Sequence, residues 1–350
     1  MALRQKTALA VAFACAALVL SGRLQADEVA PRPAAKPSQY EQVTCSPIKS
    51  FSPSDDKAVG PLTFIGGCVL RAAAPDFGGL SSLHLSEQGS TLFAATDRGF
   101  FLSAEVERDG TGKLIGLRKA RLTKLRDAKG NTLSRNNHQD VEGLAISGSR
   151  AFISSERNHS IMPLSWQTKV HDPAIAPIVQ EPLPLPQNIR SLGYNQGLEA
   201  LALAPEGAPI AGALLAIGEQ DSRDPNSLPG AYWLNNEWRN FRLMRSDRYD
   251  ATDADFLPNG DLILLERRFN LRDLLGMRLR RFAVEDLMAT NAKPVPGEIL
   301  LEANSAYDID NMEGLDIHQS PSGETILTLI SDDNFSIFQR TLLLEFRLNR

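Results

Sequence analysis

The chain has 350 residues, of which 43% are hydrophobic and 23% are charged, and its formal net charge is −5 at pH 7. An acidic balance argues against a nucleic acid as the partner and is compatible with the binding of cations. Once a leader is set aside, this length suits one large domain or two small ones.

The first 26 residues have the features of a secretory signal peptide. Arg4 and Lys6 form a positively charged start, residues 7–20 form an apolar run, and residues 24–26 are an acceptable cleavage site. The apolar run is too short for a membrane span, and no other segment approaches one. The sequence therefore predicts an exported protein, periplasmic or extracellular, whose mature chain carries 34 basic and 42 acidic residues, a charge of −8.

A lead-in follows the predicted leader. Residues 27–61 are rich in Pro, Ala, Ser and Lys, which predicts an extended, flexible segment. The mature chain keeps two cysteines, Cys45 and Cys68. In an oxidising compartment they can pair, and the closed loop would then stabilise the fold by roughly 3 kcal/mol. Two buried free thiols are the alternative.

The rest of the chain, residues 62–350, contains a repeated unit. Each copy has a short apolar strand with polar residues at its start, a turn, and a second apolar strand that ends on charged or polar residues. The copies begin near residues 77, 140, 197, 250 and 311. This spacing of roughly 53–64 residues suits a four-stranded blade with long loops. Two strands and a tight turn cannot bury both faces alone, so neighbouring units must stack, and radial stacking gives a β-propeller.

In chain order, the predicted strands fill five blades. The first strand candidate is 62–70. Blade one then has 80–85, 91–96, 100–106 and 114–122, and blade two has 144–146, 151–153, 161–166 and 178–185. Blade three has two strands within 197–220 and then 231–234 and 238–244, blade four has two strands within 250–267 and then 281–284 and 298–301, and blade five has 313–318, 325–331 and 342–348. A short helix is predicted only at 270–280. Since blade five lacks one strand, residues 62–70 are expected to complete it, so that the N- and C-terminal strands close the ring in one blade. The fold prediction is an all-β, five-bladed propeller, with six blades as the alternative.

This strand order predicts an acidic channel mouth. In each blade the first strand lines the channel and the second runs antiparallel to it, so the start of one and the end of the other share a face. Acids stand at the starts (Asp140, Glu142, Glu199, Asp253, Asp310 and Glu313) and at the ends (Asp97, Glu156, Glu219, Glu266, Asp332 and Asp333), with Arg98, Arg157 and Arg267 among them. Such carboxylates raise each other's pKa unless a cation or an arginine intervenes.

Two arrangements relieve that repulsion. A hard cation, Ca²⁺ most of all, takes six to eight oxygen ligands, and the predicted metal ligands are Glu142, Glu199, Glu313 and Asp332. The alternative is a structural network in which the three arginines pair with the acids. Nothing in the sequence predicts an organic cofactor.

Catalytic signatures are sparse. The sequence has no G-x-S-x-G elbow and no H-E-x-x-H motif. The predicted catalytic residues are Glu142, His138 and Asp140, which stand together at the mouth; a solvated loop histidine is the alternative for His138. The predicted substrate-binding residues are Arg98, Arg157 and Arg267, because guanidinium groups hold phosphate or carboxylate by paired hydrogen bonds.

Several motifs in fixed order resemble those of one bacterial family, the phytase-like proteins described by the phrase "esterase-like activity of phytase". They are FGGLSSL (77–83), ATDRG (95–99), DVEGLA (140–145), GLEALA (197–202), LLERRF (264–269), NMEGLD (311–316) and LISDDNF (329–335). The resemblance covers most of the chain from about residue 62, and it implies a propeller and the hydrolysis of an ester or phosphoester.

Two functional hypotheses remain open at this point. The first is an exported, metal-assisted hydrolase that acts on a phosphate or other ester, or on a related small anion. The second is a periplasmic binding or scaffold propeller without chemistry. Nothing in the sequence suggests an oligomer, so a monomer is expected.

Overall fold

The computed structural model describes residues 40–136, 138–167, 172–193, 196–270, 274–289 and 293–349. The predicted signal peptide and the first part of the predicted lead-in lie outside these residues. Within the described part of the chain, no helix is both long and apolar enough to cross a membrane.

Nearly all regular structure in the described residues is β-strand. The strands are β1 Val43–Ile48, β2 Ala58–Val59, β3 Leu62–Ala72, β4 Leu80–Leu85, β5 Thr91–Thr96, β6 Phe100–Arg108, β7 Leu114–Lys124, β8 Arg126–Asp127, β9 Val141–Ser147, β10 Arg150–Ser155, β11 Ser160–Ser165, β12 Ile178–Val179, β13 Leu198–Leu203, β14 Leu214–Gly218, β15 Ser227–Leu234, β16 Glu237–Met244, β17 Asp250–Phe256, β18 Leu262–Asn270, β19 Leu274–Phe282, β20 Glu298–Asn304, β21 Asn311–Gln319, β22 Thr325–Asp332 and β23 Thr341–Leu348. Two short α-helices, α1 Gln187–Arg190 and α2 Val284–Met288, and two 3₁₀ turns, Glu87–Gly89 and Leu133–Asn136, complete the set.

The strands of the described residues form five sheets, each of which is one blade. Blade 1 is β4-β5-β6-β7, blade 2 is β9-β10-β11-β12 with β8 outside it, blade 3 is β13 to β16, blade 4 is β17 to β20, and blade 5 is β21-β22-β23-β3-β1. The first strands β4, β9, β13, β17 and β21 pack side by side in a closed ring. The five-bladed propeller is therefore confirmed, and the six-bladed alternative is wrong.

Blade 5 closes the ring with both ends of the described chain. Strand β23 pairs antiparallel with β3, in a register that sets Thr341 opposite Leu70 and Leu348 opposite Leu62. The predicted closure of the propeller in one blade is confirmed. A closed ring leaves no inner strand with an open edge.

The hydrophobic core lies between the blades. All six residues of β13 and all five of β14 are buried, so both faces of these strands are covered. A strand buried on both faces reads as a continuous apolar run, as LEALAL and LLAIG do here. The single acid in these runs, Glu199, is 5% exposed and belongs to the site described below.

Two predicted elements are wrong. Within the predicted flexible lead-in, all six residues of β1 pair with β3, and Ile48 and Phe51 are buried in the core. Strand pairing and the burial of these two side chains hold the segment on blade 5. Where the predicted helix at 270–280 falls on described residues, residues 274–280 belong to β19, which pairs with β18 along its whole length, and residues 271–273 lie outside the described residues. Cross-strand pairing overrides local preference here.

Cys45 and Cys68 form the predicted disulfide, with 5.2 Å between their Cα atoms. The bond ties β1 to β3 and encloses a sequence separation of 23 residues. Closing such a loop restricts the unfolded chain more than the folded one.

Replacing both cysteines with serine is expected to lower the free energy of unfolding by about 3 kcal/mol. Urea unfolding of the mature protein would measure this loss. Wild-type protein unfolded in dithiothreitol is the matched control and should lose the same amount. Equal unfolding midpoints for the oxidised wild type and the double variant would contradict the prediction.

Candidate functional site

Every channel-lining strand carries a β-bulge at the same place. In all five blades the pairing between the first and second strands shifts by one residue near the start of the first strand. The residues at this position are Ser81, Glu142, Glu199, Thr252 and Glu313. A bulge leaves one residue out of the ladder and re-aims its side chain. We call these five positions the bulge ring.

A second ring stands beside the first. It consists of the second-strand residue of each blade that lies opposite the position two residues before the bulge: Asp97, Glu156, Glu219, Arg267 and Asp332. In three blades the backbone N–H of this residue donates to the carbonyl just before the first strand, over 2.9 Å. In blades 4 and 5 the register gives the same placement. We call the two rings together the acidic mouth; they contain seven carboxyl groups and one arginine.

Burial and mutual repulsion raise the pKa of all seven carboxyl groups. Burial is the largest cause in each case, and the neighbouring carboxylates add to it. The pKa of Asp97 rises to about 6, and the pKa values of Glu219 and Asp332 rise to about 7. Glu313 raises the pKa of Glu142, and both of these carboxylates raise the pKa of Glu199, so the three acids of the bulge ring act on one another electrostatically.

Arg267 is the cation of the acidic mouth. Its Nη1 lies 3.1 Å from Glu313 Oε1 and donates to Asn311 Oδ1 over 2.9 Å, and its Nη2 lies 3.5 Å from Glu219 Oε1. These carboxylates raise the pKa of Arg267 further, so it is always charged. The alternative of arginine–carboxylate pairing therefore applies to Arg267, but one guanidinium balances only part of the negative charge that seven carboxyl groups can carry.

The other two predicted substrate-binding arginines lie outside the two rings. Arg157 Nε donates to Asp140 Oδ2 over 2.7 Å. The guanidinium carbon of Arg98 sits 3.2 Å above the centre of the Phe335 ring, a cation–π contact. Asp140 itself has a φ of 73°, and its N–H donates to Asp97 O over 2.8 Å. A left-handed aspartate is strained, and here it joins blades 1 and 2 beside the mouth.

His138 is turned toward the outer strands of blade 2. Its Nδ1 lies 3.0 Å from Ser160 Oγ and 2.7 Å from Asn158 Nδ2. With Met162 it lines a small pocket of about 80 Å³. Glu142 is not among the residues that line this pocket. Sequence proximity of His138 to Glu142 did not reveal this placement.

Three carboxylates come close enough to share one ion. Oxygen atoms of Glu156, Glu199 and Glu219 lie within 4.8 Å of one another, and they are the only such group among the described residues. Of the predicted metal ligands, Glu199 belongs to this group, while Glu142 and Glu313 are electrostatic neighbours of Glu199. Sequence reasoning placed Glu156 and Glu219 at the mouth but did not select them as ligands.

The residues present fit a hard divalent cation. Carboxylate oxygens are the ligands that Ca²⁺ prefers, and Arg267 is the one cation that the two rings of the acidic mouth contain. Within the described part of the chain, Asp97 Oδ1 is also buried without a hydrogen-bond partner. An added ion would lower the pKa of these groups and satisfy such an atom.

The glycine of the Glu-Gly motif is required by close packing. A Cβ on Gly143 would lie 2.7 Å from Ser154 Oγ and 2.9 Å from the backbone oxygen of Glu199 in the next blade. In blades 1 and 4 the bulge residues are not acidic; the hydroxyls of Ser81 and Thr252 donate to backbone carbonyls of the following blade, over 2.5 and 3.2 Å. Blades 2, 3 and 5 therefore supply the carboxyl groups of the bulge ring.

Fold and site together define a five-bladed propeller whose channel opens through an acidic mouth. The phytase-like family, described as "esterase-like activity of phytase", matches residues 75–335, and the chain belongs to this family. The matched range contains both rings of the mouth.

Comparison with solved structures returns distant similarities. The crystal structure of Myxococcus xanthus glutaminyl cyclase has a TM-score of 0.41 at 11% identity and covers 82% of this chain and 96% of that chain. A nidogen/laminin complex has a TM-score of 0.38 at 11% identity and covers 77% of this chain and 87% of that chain. No curated protein matches the chain.

Proposed function

We propose that the protein is an exported hydrolase that cleaves a phosphate or other ester of a small molecule at the acidic mouth, with the help of a divalent cation, Ca²⁺ most of all. One observation carries the proposal: seven buried or half-buried carboxyl groups with raised pKa values share the acidic mouth with a single arginine. The phytase-like family, named for an esterase-like activity, supports the reaction class.

Glu156, Glu199 and Glu219 are the residues that would hold the cation, because their oxygens already converge. A bound divalent cation polarises an ester or phosphoryl oxygen and lowers the pKa of coordinated water. Arg267 is permanently charged and can bind the anionic part of the substrate. Glu142, beside Glu199 and Glu313 in the bulge ring, would exchange a proton with the leaving group.

Export rests on the predicted signal peptide and on compartment chemistry. The disulfide between Cys45 and Cys68 is compatible with an oxidising environment such as the periplasm or the extracellular space. A secreted hydrolase also meets Ca²⁺ at concentrations that suit a site of moderate affinity.

The test is hydrolysis by the mature protein of p-nitrophenyl phosphate and p-nitrophenyl acetate, in EDTA and then in Ca²⁺ or Mg²⁺. Turnover of at least one ester is expected only with the ion. Glu199→Gln should lower kcat/KM at least about 100-fold, because it weakens the ion site. Glu237→Gln, an exposed acid at the start of β16, is the matched control and should leave the rate unchanged.

A binding module without chemistry is the second candidate, and the placement of His138 away from the mouth favours it. In that case Ca²⁺ would raise the unfolding temperature of the wild type but not of Glu199→Gln, and neither ester would be turned over. Metal-independent turnover that survives Glu199→Gln would contradict both candidates.

A further inference from the structure

The channel has a second opening, opposite the acidic mouth. The five channel-lining strands run from the bulge ring to this far end, where their last residues surround a cavity of about 860 Å³. This is the volume of a pocket for a small organic molecule. Neither the family description nor the proposed hydrolysis accounts for it.

One position of the repeat gives the cavity two unlike halves. The third residue after the bulge is His84 in blade 1, Ala145 in blade 2, Ala202 in blade 3, Asp255 in blade 4 and Asp316 in blade 5, and all five line the cavity. The two alanines leave space on one side, where Leu144 and Leu201 add apolar surface. The opposite side carries ionisable groups.

Asp316 orients the two histidines of the ionisable half. Its Oδ1 lies 3.0 Å from His84 Nδ1 and its Oδ2 lies 3.1 Å from His318 Nδ1, while the N–H of Leu85 donates to Oδ1 over 2.9 Å. These partners hold the pKa of Asp316 down to about 2 despite its burial. An ionised carboxylate only accepts, so each Nδ1 carries a proton.

Asp255 adds a second carboxyl group to the same half. It accepts the N–H of Ile317 over 2.7 Å and that of Phe256 over 2.8 Å. Burial and the neighbouring charge of Asp316 raise its pKa well above the usual range. Among the described residues that line the cavity there is no lysine or arginine. A ligand with positive charge and hydrogen-bond donors would therefore complement this half.

We propose that the cavity at the far end of the channel binds a small organic cation, an amine that carries an apolar group. The ammonium group donates to Asp255, and the apolar group packs in the half formed by Ala145 and Ala202. An anion finds no permanent positive charge there. A bare metal ion would leave most of the volume unfilled, and the three-carboxylate group of the described residues lies elsewhere, at the acidic mouth.

Isothermal titration of the mature protein with three probes of equal size tests the charge preference. We expect 2-phenylethylammonium to bind at least 10-fold more tightly than the neutral 2-phenylethanol, and phenylacetate not to bind. Saturating Ca²⁺ is present throughout, so that the acidic mouth competes less for the amine. Equal affinity for ammonium and alcohol, tighter binding of phenylacetate, or no saturable binding of the amine would overturn the proposal.

Three variants locate the bound amine. Asp255→Asn keeps the shape of the side chain. It should lower the affinity for the ammonium probe at least 10-fold and leave the affinity for the alcohol unchanged. Ala202→Leu fills the apolar half of the cavity and should lower the affinity for both probes. This variant tests the location of the bound amine if Asp255→Asn does not fold. Glu199→Gln at the acidic mouth should leave amine affinity unchanged. Loss of amine binding in Glu199→Gln, with retention in Ala202→Leu, would place the ligand at the other mouth and refute the proposal.

Discussion

In EDTA, the mature protein is expected to be less stable at about pH 8 than at about pH 5.5, by about 4 kcal/mol. The cause is the acidic mouth, where the folded state raises the pKa of Glu219 from 4.5 and that of Asp332 from 3.8, each to about 7. Both side chains are mostly buried. Each contributes about 2 kcal/mol of the difference between these two pH values.

The direction follows from the bound protons. Between the unfolded pKa values near 4 and the folded values near 7, the folded protein binds more protons than the unfolded chain. Stability therefore falls as pH rises through this window. Asp316, whose pKa is lowered, acts in the opposite direction, but only below its unfolded value of 3.8 and thus outside the window.

Calcium should remove most of this pH dependence. An ion held by Glu156, Glu199 and Glu219 favours the ionised carboxylates and raises stability at about pH 8 by RT ln(1 + [L]/Kd), about 2.7 kcal/mol at a hundredfold excess over Kd. Guanidinium unfolding at both pH values, with EDTA and then with Ca²⁺, measures the effect.

A double variant provides the control for the titration. Glu219→Gln with Asp332→Asn removes both titrating groups. The free energies of unfolding of this double variant at the two pH values in EDTA should therefore approach each other. If the wild type in EDTA were more stable at about pH 8 than at about pH 5.5, the pKa values of these carboxyl groups would not be raised in the folded protein.

The repeat pattern was sufficient to predict the blades and their closure. Each unit begins with the same apolar and polar alternation, and the missing strand of the last unit pointed to residues 62–70. These are local features, which a sequence displays directly. The predictions of a flexible lead-in and of a helix at 270–280 were wrong because β1 and β19 are held by pairing with other strands. Local composition does not reveal such partners.

The acidic mouth was predicted as a group but not in detail. Adjacent residues of a strand face opposite sides, so register decides which of Glu266 and Arg267 reaches the channel. The bulge in β17 changes that register, and Arg267 reaches the mouth while Glu266 is buried within blade 4. The set around Asp316 was missed for a similar reason, since it depends on how β4, β17 and β21 align across three blades.

Replacing Glu266 with alanine is expected to lower the free energy of unfolding by about 3–5 kcal/mol. Glu266 and Arg278 are 0% exposed and Arg280 is 2% exposed. Both arginines donate Nε to Glu266 Oε2 over 2.8 Å, and Arg280 Nη2 donates to Oε1 over 2.6 Å. Without the carboxylate, the buried Arg280 loses its counter-charge and the buried Arg278 keeps only the exposed Asp247, 3.4 Å from its Nη1. This loss costs more than the loss of an ion pair at the surface.

Two comparisons separate this effect from a general loss of side chain. Glu237→Ala removes an exposed glutamate on β16 and should change stability by less than about 0.5 kcal/mol. The triple change Glu266→Leu, Arg278→Met and Arg280→Leu should recover most of the loss, because a packed apolar cluster can replace buried ions. Urea unfolding of the three variants gives the comparison; a single Glu266→Ala variant as stable as the wild type would contradict it.

The same variant also links stability to the site. Arg267 follows Glu266 on β18, so the buried cluster on one face of the strand fixes the guanidinium that faces Glu219 and Glu313 on the other. Loss of the Glu266 carboxylate should therefore also raise KM for an anionic ester more than the triple apolar variant does, at a temperature where both variants are folded. If KM is the same in the two variants, the position of Arg267 does not depend on the buried cluster.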